Sequence, residues 1–182
     1  MLAKVSADLI RYERRLPDGG RQVFSQSDGV VGTGRRVYLT DVIDSQGLTL
    51  HFTYDASLRI VAITDAAGLV TTLSYELAAD PLKITKVTDP YGRSATLTYN
   101  AAGQLASITD AINLTSSFIY GAGDFIVSMT TPYGTTRFAH ETDALHTNNF
   151  RFVQATDPLG GTERAEFHWS NPAIGPAASF RL

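Results

Sequence analysis

Four histidines are the side chains of this sequence best suited to acid–base or metal chemistry. They are His51, His140, His146 and His168. None of them forms the i, i+4 pair of a helical zinc site, and no strand spacing brings two of them together with a carboxylate. The sequence contains no Gly-x-Ser-x-Gly nucleophile motif and no phosphate-binding loop. It therefore predicts no catalytic residue, no metal ligand and no cofactor.

Aspartates that recur along the chain are the second candidate group. They are Asp44, Asp65, Asp89, Asp110 and Asp157. As calcium ligands they would offer one carboxylate per turn, whereas calcium takes about six to eight oxygens. An Asp at the first position and a Gly at the fourth are typical of a type I turn followed by a left-handed residue. We therefore predict that these carboxylates accept the backbone N–H two residues on and cap turns.

A row of aromatic residues keeps step with these turns. The fourth turn positions are Gly47, Gly68, Gly92, Asn113, Gly134 and Gly160, at intervals of 21, 24, 21, 21 and 26 residues. Seven positions after five of them stand Tyr54, Tyr75, Tyr99, Tyr120 and Phe167, whereas the copy after Gly134 is degenerate. Two landmarks that share one period indicate an internal repeat.

Apolar residues alternate with small or hydroxylated ones after each turn, as in Leu50, Phe52 and Tyr54 against Thr49 and Thr53. A period of two predicts β-strands. The predicted fold is all-β, with tandem antiparallel hairpins of about 21 residues stacked into a curved strip. The aromatic row then forms a ladder across the sheet. Packing of neighbouring hairpins is the favoured role of the ladder, and stacking on sugar rings is the alternative.

The chain divides into three predicted parts. Residues 1–35 form an N-terminal hairpin and a glycine-rich link, residues 36–169 form the hairpin array, and residues 170–182 form a loop or a cut edge. No apolar run approaches the roughly 18 to 20 residues of a membrane span, and the N-terminus does not have the pattern of a signal peptide.

Charge is spread unevenly. Residues 1–36 carry seven Lys or Arg and four Asp or Glu, whereas residues 37–182 carry eight and fourteen. Tyr12 and Phe24 lie among the basic residues, a combination also found on nucleic-acid surfaces. The patch is small and is followed by acidic chain, so solvated strand faces are favoured and no nucleic-acid partner is predicted.

Two stretches, YDASLRIVAITDAAGLVTTLSY (54–75) and YNAAGQLASITDAINLTSSFIY (99–120), resemble the unit of the RHS/YD-repeat family. The resemblance extends over about residues 36–169. In bacterial RHS and insecticidal toxin-complex proteins such arrays wind into a hollow shell around a toxic C-terminal polypeptide. Related, teneurin-like repeats occur in animal adhesion proteins, to which sugar binding has been attributed. The resemblance implies no catalysis within a repeat.

From this resemblance we expect a non-enzymatic shell segment of a larger bacterial protein that is exported or at the cell surface. The expected partners are further YD repeats of the parent chain, or other copies of the chain joined at open strand edges, and an enclosed toxin polypeptide. The alternative is a carbohydrate-binding or adhesion module whose aromatic ladder binds glycans. About six turns are too few to close a shell, so we expect a fragment.

Overall fold

The strands of this chain follow one another with little else between them. The computed structural model describes the backbone of residues 2–6, 10–142, 150–169 and 178–181, and the side chains of residues 10–140 and 151–166. By backbone contacts the chain separates into two units, Met1–Thr96 and Leu97–Leu182.

The first unit consists of eight strands and the start of a ninth. They are β1 (Leu2–Ser6), β2 (Arg11–Arg15), β3 (Arg21–Ser27), β4 (Val37–Ile43), β5 (Thr49–Tyr54), β6 (Ile60–Thr64), β7 (Val70–Ser74), β8 (Lys86–Thr88) and β9 (Ser94–Tyr99). Each strand pairs antiparallel with the next strand in the chain, from β1 with β2 to β8 with β9. Short connections between neighbours favour this order.

The second unit contains seven further strands. They are β10 (Leu105–Thr109), β11 (Thr115–Tyr120), β12 (Ile126–Thr131), β13 (Gly134–Thr142), β14 (Phe150–Thr156), β15 (Thr162–Trp169) and β16 (Ala178–Arg181). Each of these strands also pairs antiparallel with the next one. A 3₁₀ turn at Ala122–Asp124 is the helical element among the described residues. No described helix is long and apolar enough to cross a membrane.

Little of the described chain is fully buried. Among the described side chains, Val23 is the one buried hydrophobic residue, at 1% exposure, and most other strand residues are half-buried. Half-buried side chains are expected where burial comes mainly from neighbours on the same face of a sheet. The all-β class and the tandem antiparallel hairpins predicted from the sequence are confirmed.

Candidate functional site: the repeat turns and the tyrosine row

Among the described residues, seven turns that begin with Asp or Asn share one hydrogen-bond pattern. They are residues 44–47, 55–58, 65–68, 89–92, 100–103, 110–113 and 157–160. In each turn the fourth residue donates its N–H to the carbonyl of the first, and the N–H of the first residue donates to the carbonyl that follows the turn, at 2.8–3.1 Å. This is the geometry of a type I turn with a bulge at the fourth residue.

The first residue of each turn also acts through its side chain. Asp65 shows the pattern, because its Oδ1 accepts the N–H of Ala67 at 2.8 Å and that of Leu69 at 2.9 Å. The other six turns have the same two contacts. One acceptor thus satisfies two backbone donors, so the residue holds both the turn and the start of the next strand.

The fourth turn position has a left-handed backbone in all seven turns. Five of these residues are glycines, with φ between 77° and 89°. The exceptions are Leu58, at φ 61°, and Asn113, at φ 63°. Asn tolerates this region well, whereas an apolar side chain such as leucine is uncommon there.

Two of the seven turns lie outside the 21-residue register of the turn positions predicted from the sequence. Residues 55–58 and 100–103 begin with the Asp or Asn directly after a tyrosine, and they connect β5 to β6 and β9 to β10 in the chain. The Asn-Ala-Ala-Gly stretch that begins at Asn100 has the same signal as the predicted turns, but its spacing does not match the 21-residue register. The Asp of the Tyr-Asp pair is therefore a turn residue like the others.

The Gly134 turn differs from the rest. Thr131 and Gly134 are directly paired, so only Pro132 and Tyr133 connect β12 to β13. The hydroxyl of Thr131 accepts the N–H of Tyr133 at 3.2 Å, in place of a carboxylate. A side chain on Gly134 would meet Pro158 at 2.6 Å, so the absence of a Cβ lets this turn approach the turn of the hairpin β14–β15.

Tyrosines of the row bind the hairpin to which they belong. The hydroxyls of Tyr54, Tyr75 and Tyr120 donate to backbone carbonyls fifteen residues earlier, at 2.7, 2.8 and 2.9 Å. The acceptors are Leu39, Ile60 and Leu105. Each acceptor lies near the start of the first strand of the hairpin. Tyr54 and Tyr120 end the second strand of their hairpins, and Tyr75 directly follows β7. The phenol therefore ties the open end of the hairpin, opposite the turn.

The surroundings of these tyrosines fit a structural role. Tyr54 and Tyr75 are half-buried, and burial raises the pKa of both phenols, so they remain neutral donors. The ring of Tyr54 lies 6.0 Å from that of Tyr38. Tyr99 is half-buried, and the side chain of Phe167 lies outside the described residues.

Arg59 joins one Tyr-Asp pair to the next tyrosine. Its Nε and Nη2 lie 2.8 and 2.7 Å from Oδ2 of Asp55, and its Nη1 donates to the carbonyl of Pro81 at 2.6 Å. Its Cζ lies 4.6 Å from the centre of the Tyr75 ring, a cation–π contact. Hydrogen bonds from the Arg59 backbone and side chain lower the pKa of Asp55.

A neutral version of the same arrangement occurs in the second unit. Asn100 replaces the aspartate and donates through Nδ2 to Oε1 of Gln104 at 2.8 Å. Gln104 in turn donates through Nε2 to Asp124 at 2.6 Å, in the segment that follows Tyr120. In both units the residue five positions after a tyrosine thus reaches the connection that follows the next tyrosine.

The structure partners His51 with a carboxylate, which sequence reasoning did not anticipate. Its Nδ1 lies 2.7 Å from Oδ1 of Asp41 on the adjacent strand. The hydroxyl of Thr40 donates to Oδ2 of Asp41 at 2.8 Å and lies 2.8 Å from that of Ser25. Thr40 and Ser25 have no partner in the register of β3 with β4, so each lies at a bulge. These bulges bring the side chains of Ser25, Thr40 and Asp41 together.

His140 is the other histidine whose side chain the structure describes. His140 packs edge-on against Phe125, with the ring centres 4.1 Å apart. His146 and the side chain of His168 lie outside the described residues. Within the described chain no three His, Asp or Glu side chains are grouped closely enough to hold a metal ion.

Comparison with known proteins gives one matching family model and several structural neighbours, two of which are described below. The RHS Repeat family model matches residues 54–94, 80–111 and 99–136. The crystal structure of TcdB2-TccC3 without its hypervariable C-terminal region aligns with a TM-score of 0.46 and 14% identity, over 88% of this chain and 11% of that chain. The TcdB2-TccC3-Cdc42 structure aligns with a TM-score of 0.42 and 12% identity, over 93% and 12% of the two chains.

No curated protein sequence matches the chain. In the structure comparison, the chain spans about one-ninth of the length of each of the two neighbours described.

Proposed function

We propose that the chain is a non-enzymatic structural segment of an RHS/YD-repeat shell, because its residues 54–136 match the RHS Repeat family model. In this proposal the shell encloses a toxic C-terminal polypeptide and helps to deliver it. The partners are the further YD repeats that continue the sheet and the enclosed polypeptide. The parent protein is exported or acts at the cell surface.

The observation that carries the proposal is the doubly closed hairpin. An Asp or Asn holds the turn at one end through two backbone amides, and a tyrosine hydroxyl holds the other end through a backbone carbonyl. The hairpins β6–β7 and β10–β11 have this design in separate units of the chain. Such a module needs few contacts beyond its neighbours, so many copies can be added in series.

The carbohydrate-binding alternative receives less support from the same contacts. A tyrosine that stacks on a sugar must present an open ring face. The ring of Tyr75 instead lies under the Arg59 guanidinium, and the hydroxyls of Tyr54, Tyr75 and Tyr120 are engaged within their own hairpins. These residues are better suited to holding hairpins than to holding a ligand.

Protease protection of the complete gene product tests the enclosure proposal. We expect the reading frame to continue in YD repeats and the polypeptide that follows them to resist protease until denaturant opens the shell. Digestion of that polypeptide at the same rate in the intact protein and after its release would contradict the proposal. A glycan-array signal that disappears in a folded Tyr99→Ala variant would favour the adhesion alternative instead.

A further inference from the structure

A concavity in the first unit lies outside the repeat turns and the tyrosine row. It has a volume of about 410 Å³ and is lined by Tyr12, Phe24, Gly32, Arg35 and Val37. This size lies within the range of about 300 to 1,000 Å³ of small-molecule sites. Tyr12 and Phe24 are directly paired across β2 and β3, so their side chains leave the sheet on the same face.

The wall of this concavity is a closed loop of residues 28–36. The N–H of Asp28 donates to the carbonyl of Arg36 at 3.1 Å. Its two carboxylate oxygens accept the N–H of Val30 and that of Arg36, both at 3.0 Å. Gly32 has φ 107° and accepts the N–H of Arg35 at 3.3 Å. The one carboxylate of the loop is therefore used to close it.

Arg35 brings a positive charge to the concavity. Its Nε donates to the carbonyl of Val30 at 2.7 Å, and this hydrogen bond fixes the direction of the guanidinium. No described carboxylate lies within ion-pair distance of Arg35, and no described residue accepts a hydrogen bond from its terminal nitrogens. A fixed cation with no counter-charge among the described residues favours an anionic ligand.

We propose that this concavity, the Arg35 pocket, binds a small ligand that carries one ring and one carboxylate. Two terminal guanidinium nitrogens match the two oxygens of a carboxylate, and the paired aromatic side chains offer apolar faces to a ring. Arg35 is the one charged residue among the described lining, so a monoanion balances it. Sugar acids and aromatic acids share this chemistry.

Titration calorimetry and saturation-transfer NMR on the intact chain distinguish a sugar acid from an aromatic acid as the ligand. The probes are glucuronate and benzoate, with glucose and benzyl alcohol as the uncharged counterparts. We expect saturable binding of at least one acid, with weaker or no binding of its uncharged counterpart. Binding of glucuronate alone identifies a sugar-acid site, and binding of benzoate alone identifies an aromatic-acid site.

Arg35→Gln is the decisive variant, and Arg36→Gln is its matched control. Both variants lose one positive charge from the same loop, but Arg36 is exposed and does not line the pocket. We expect Arg35→Gln to weaken binding by about tenfold or more, because a charge-assisted pair is lost. Arg36→Gln should bind as the wild type does. Arg35→Lys, which keeps the charge but not the fork, should fall between them.

Unfolding curves of the variants establish that each one is folded. The proposal is overturned if neither acid binds saturably, or if Arg35→Gln and Arg36→Gln bind equally in folded proteins. It is also overturned if the uncharged compounds bind as tightly as the acids. None of these outcomes bears on the proposed shell, because the Arg35 pocket shares no residue with the repeat turns or the tyrosine row.

Discussion

Replacing Asp65 by alanine should test the central claim about the repeat turns, that one carboxylate oxygen holds two backbone donors. Asp65 is exposed, and its Oδ1 lies 2.8 Å from the N–H nitrogen of Ala67 and 2.9 Å from that of Leu69. Alanine leaves both amides to water. Alanine has neither the positive-φ freedom of glycine nor the fixed φ of proline, so the change acts chiefly through the lost side-chain contacts.

The expected loss is about 1–2 kcal/mol in the free energy of unfolding. A hydrogen bond to a charged group contributes about 1.5–3 kcal/mol when it is shielded, but water replaces part of that at an exposed turn. The same kind of contact at a helix N-terminus contributes about 0.5–2 kcal/mol. The two contacts of Asp65 share one exposed oxygen, so together they should contribute about 1–2 kcal/mol to the free energy of unfolding.

Asp65→Asn is the matched control, because Asn100 makes the same two contacts at 3.0 and 2.9 Å. We expect it to retain most of the stability that Asp65→Ala loses. Urea unfolding followed by far-UV circular dichroism measures the difference, and amide exchange at Leu69 reports whether the loss is local to the turn. Equal stability of the two variants would refute the claim that the acceptor holds the turn.

Three further outcomes follow from the same geometry. Asn113→Ala should destabilise the chain by about 1 kcal/mol in urea unfolding and Asn113→Gly should not, because the backbone there is left-handed; equal effects would contradict this. Tyr120→Phe should lower the free energy of unfolding by about 1 kcal/mol, because it removes the hydrogen bond to Leu105, whereas Tyr133→Phe, at an 85% exposed position, should not lower it. An unchanged free energy of unfolding in Tyr120→Phe would contradict a stabilising role of this hydrogen bond. Hydrogen bonds from Arg59 lower the pKa of Asp55, so this carboxylate should stabilise the fold above its unfolded pKa of about 3.9 and cease to do so as pH falls through its lower folded value. Melting temperature measured against pH should drop less steeply in acid for Asp55→Asn than for the wild type.

Turn chemistry made most of the strands predictable. Asp or Asn at the first position and Gly or Asn at the fourth restrict four consecutive residues, and the alternation that follows assigns the strand faces. The hairpin β6–β7 lies where the repeat around Asp65 and Gly68 predicts it. The turn at residues 55–58 has no Gly or Asn signal, because Leu58 occupies its left-handed position.

The contacts of the tyrosines were less predictable than their spacing. A period of about 21 residues is compatible with a ladder between hairpins and with a tie inside each hairpin. The strand register decides between these two arrangements. It skips one residue where Tyr54 pairs with Ile60 in β5–β6, and again where Tyr120 pairs with Ile126 in β11–β12. Such bulges redirect a side chain without any change in sequence period.

The sequence by itself determined the repeat, the positions of most turns and the all-β class, because these depend on backbone preferences within about four residues and on strict alternation. Only the tertiary structure decided what the polar side chains contact. Arg59 reaches Pro81 across 22 positions, and Asp28 closes the loop that brings Arg35 into one concavity with Tyr12 and Phe24. These contacts join residues that are distant in the sequence, and their geometry depends on strand register and on loop closure, which no local pattern encodes.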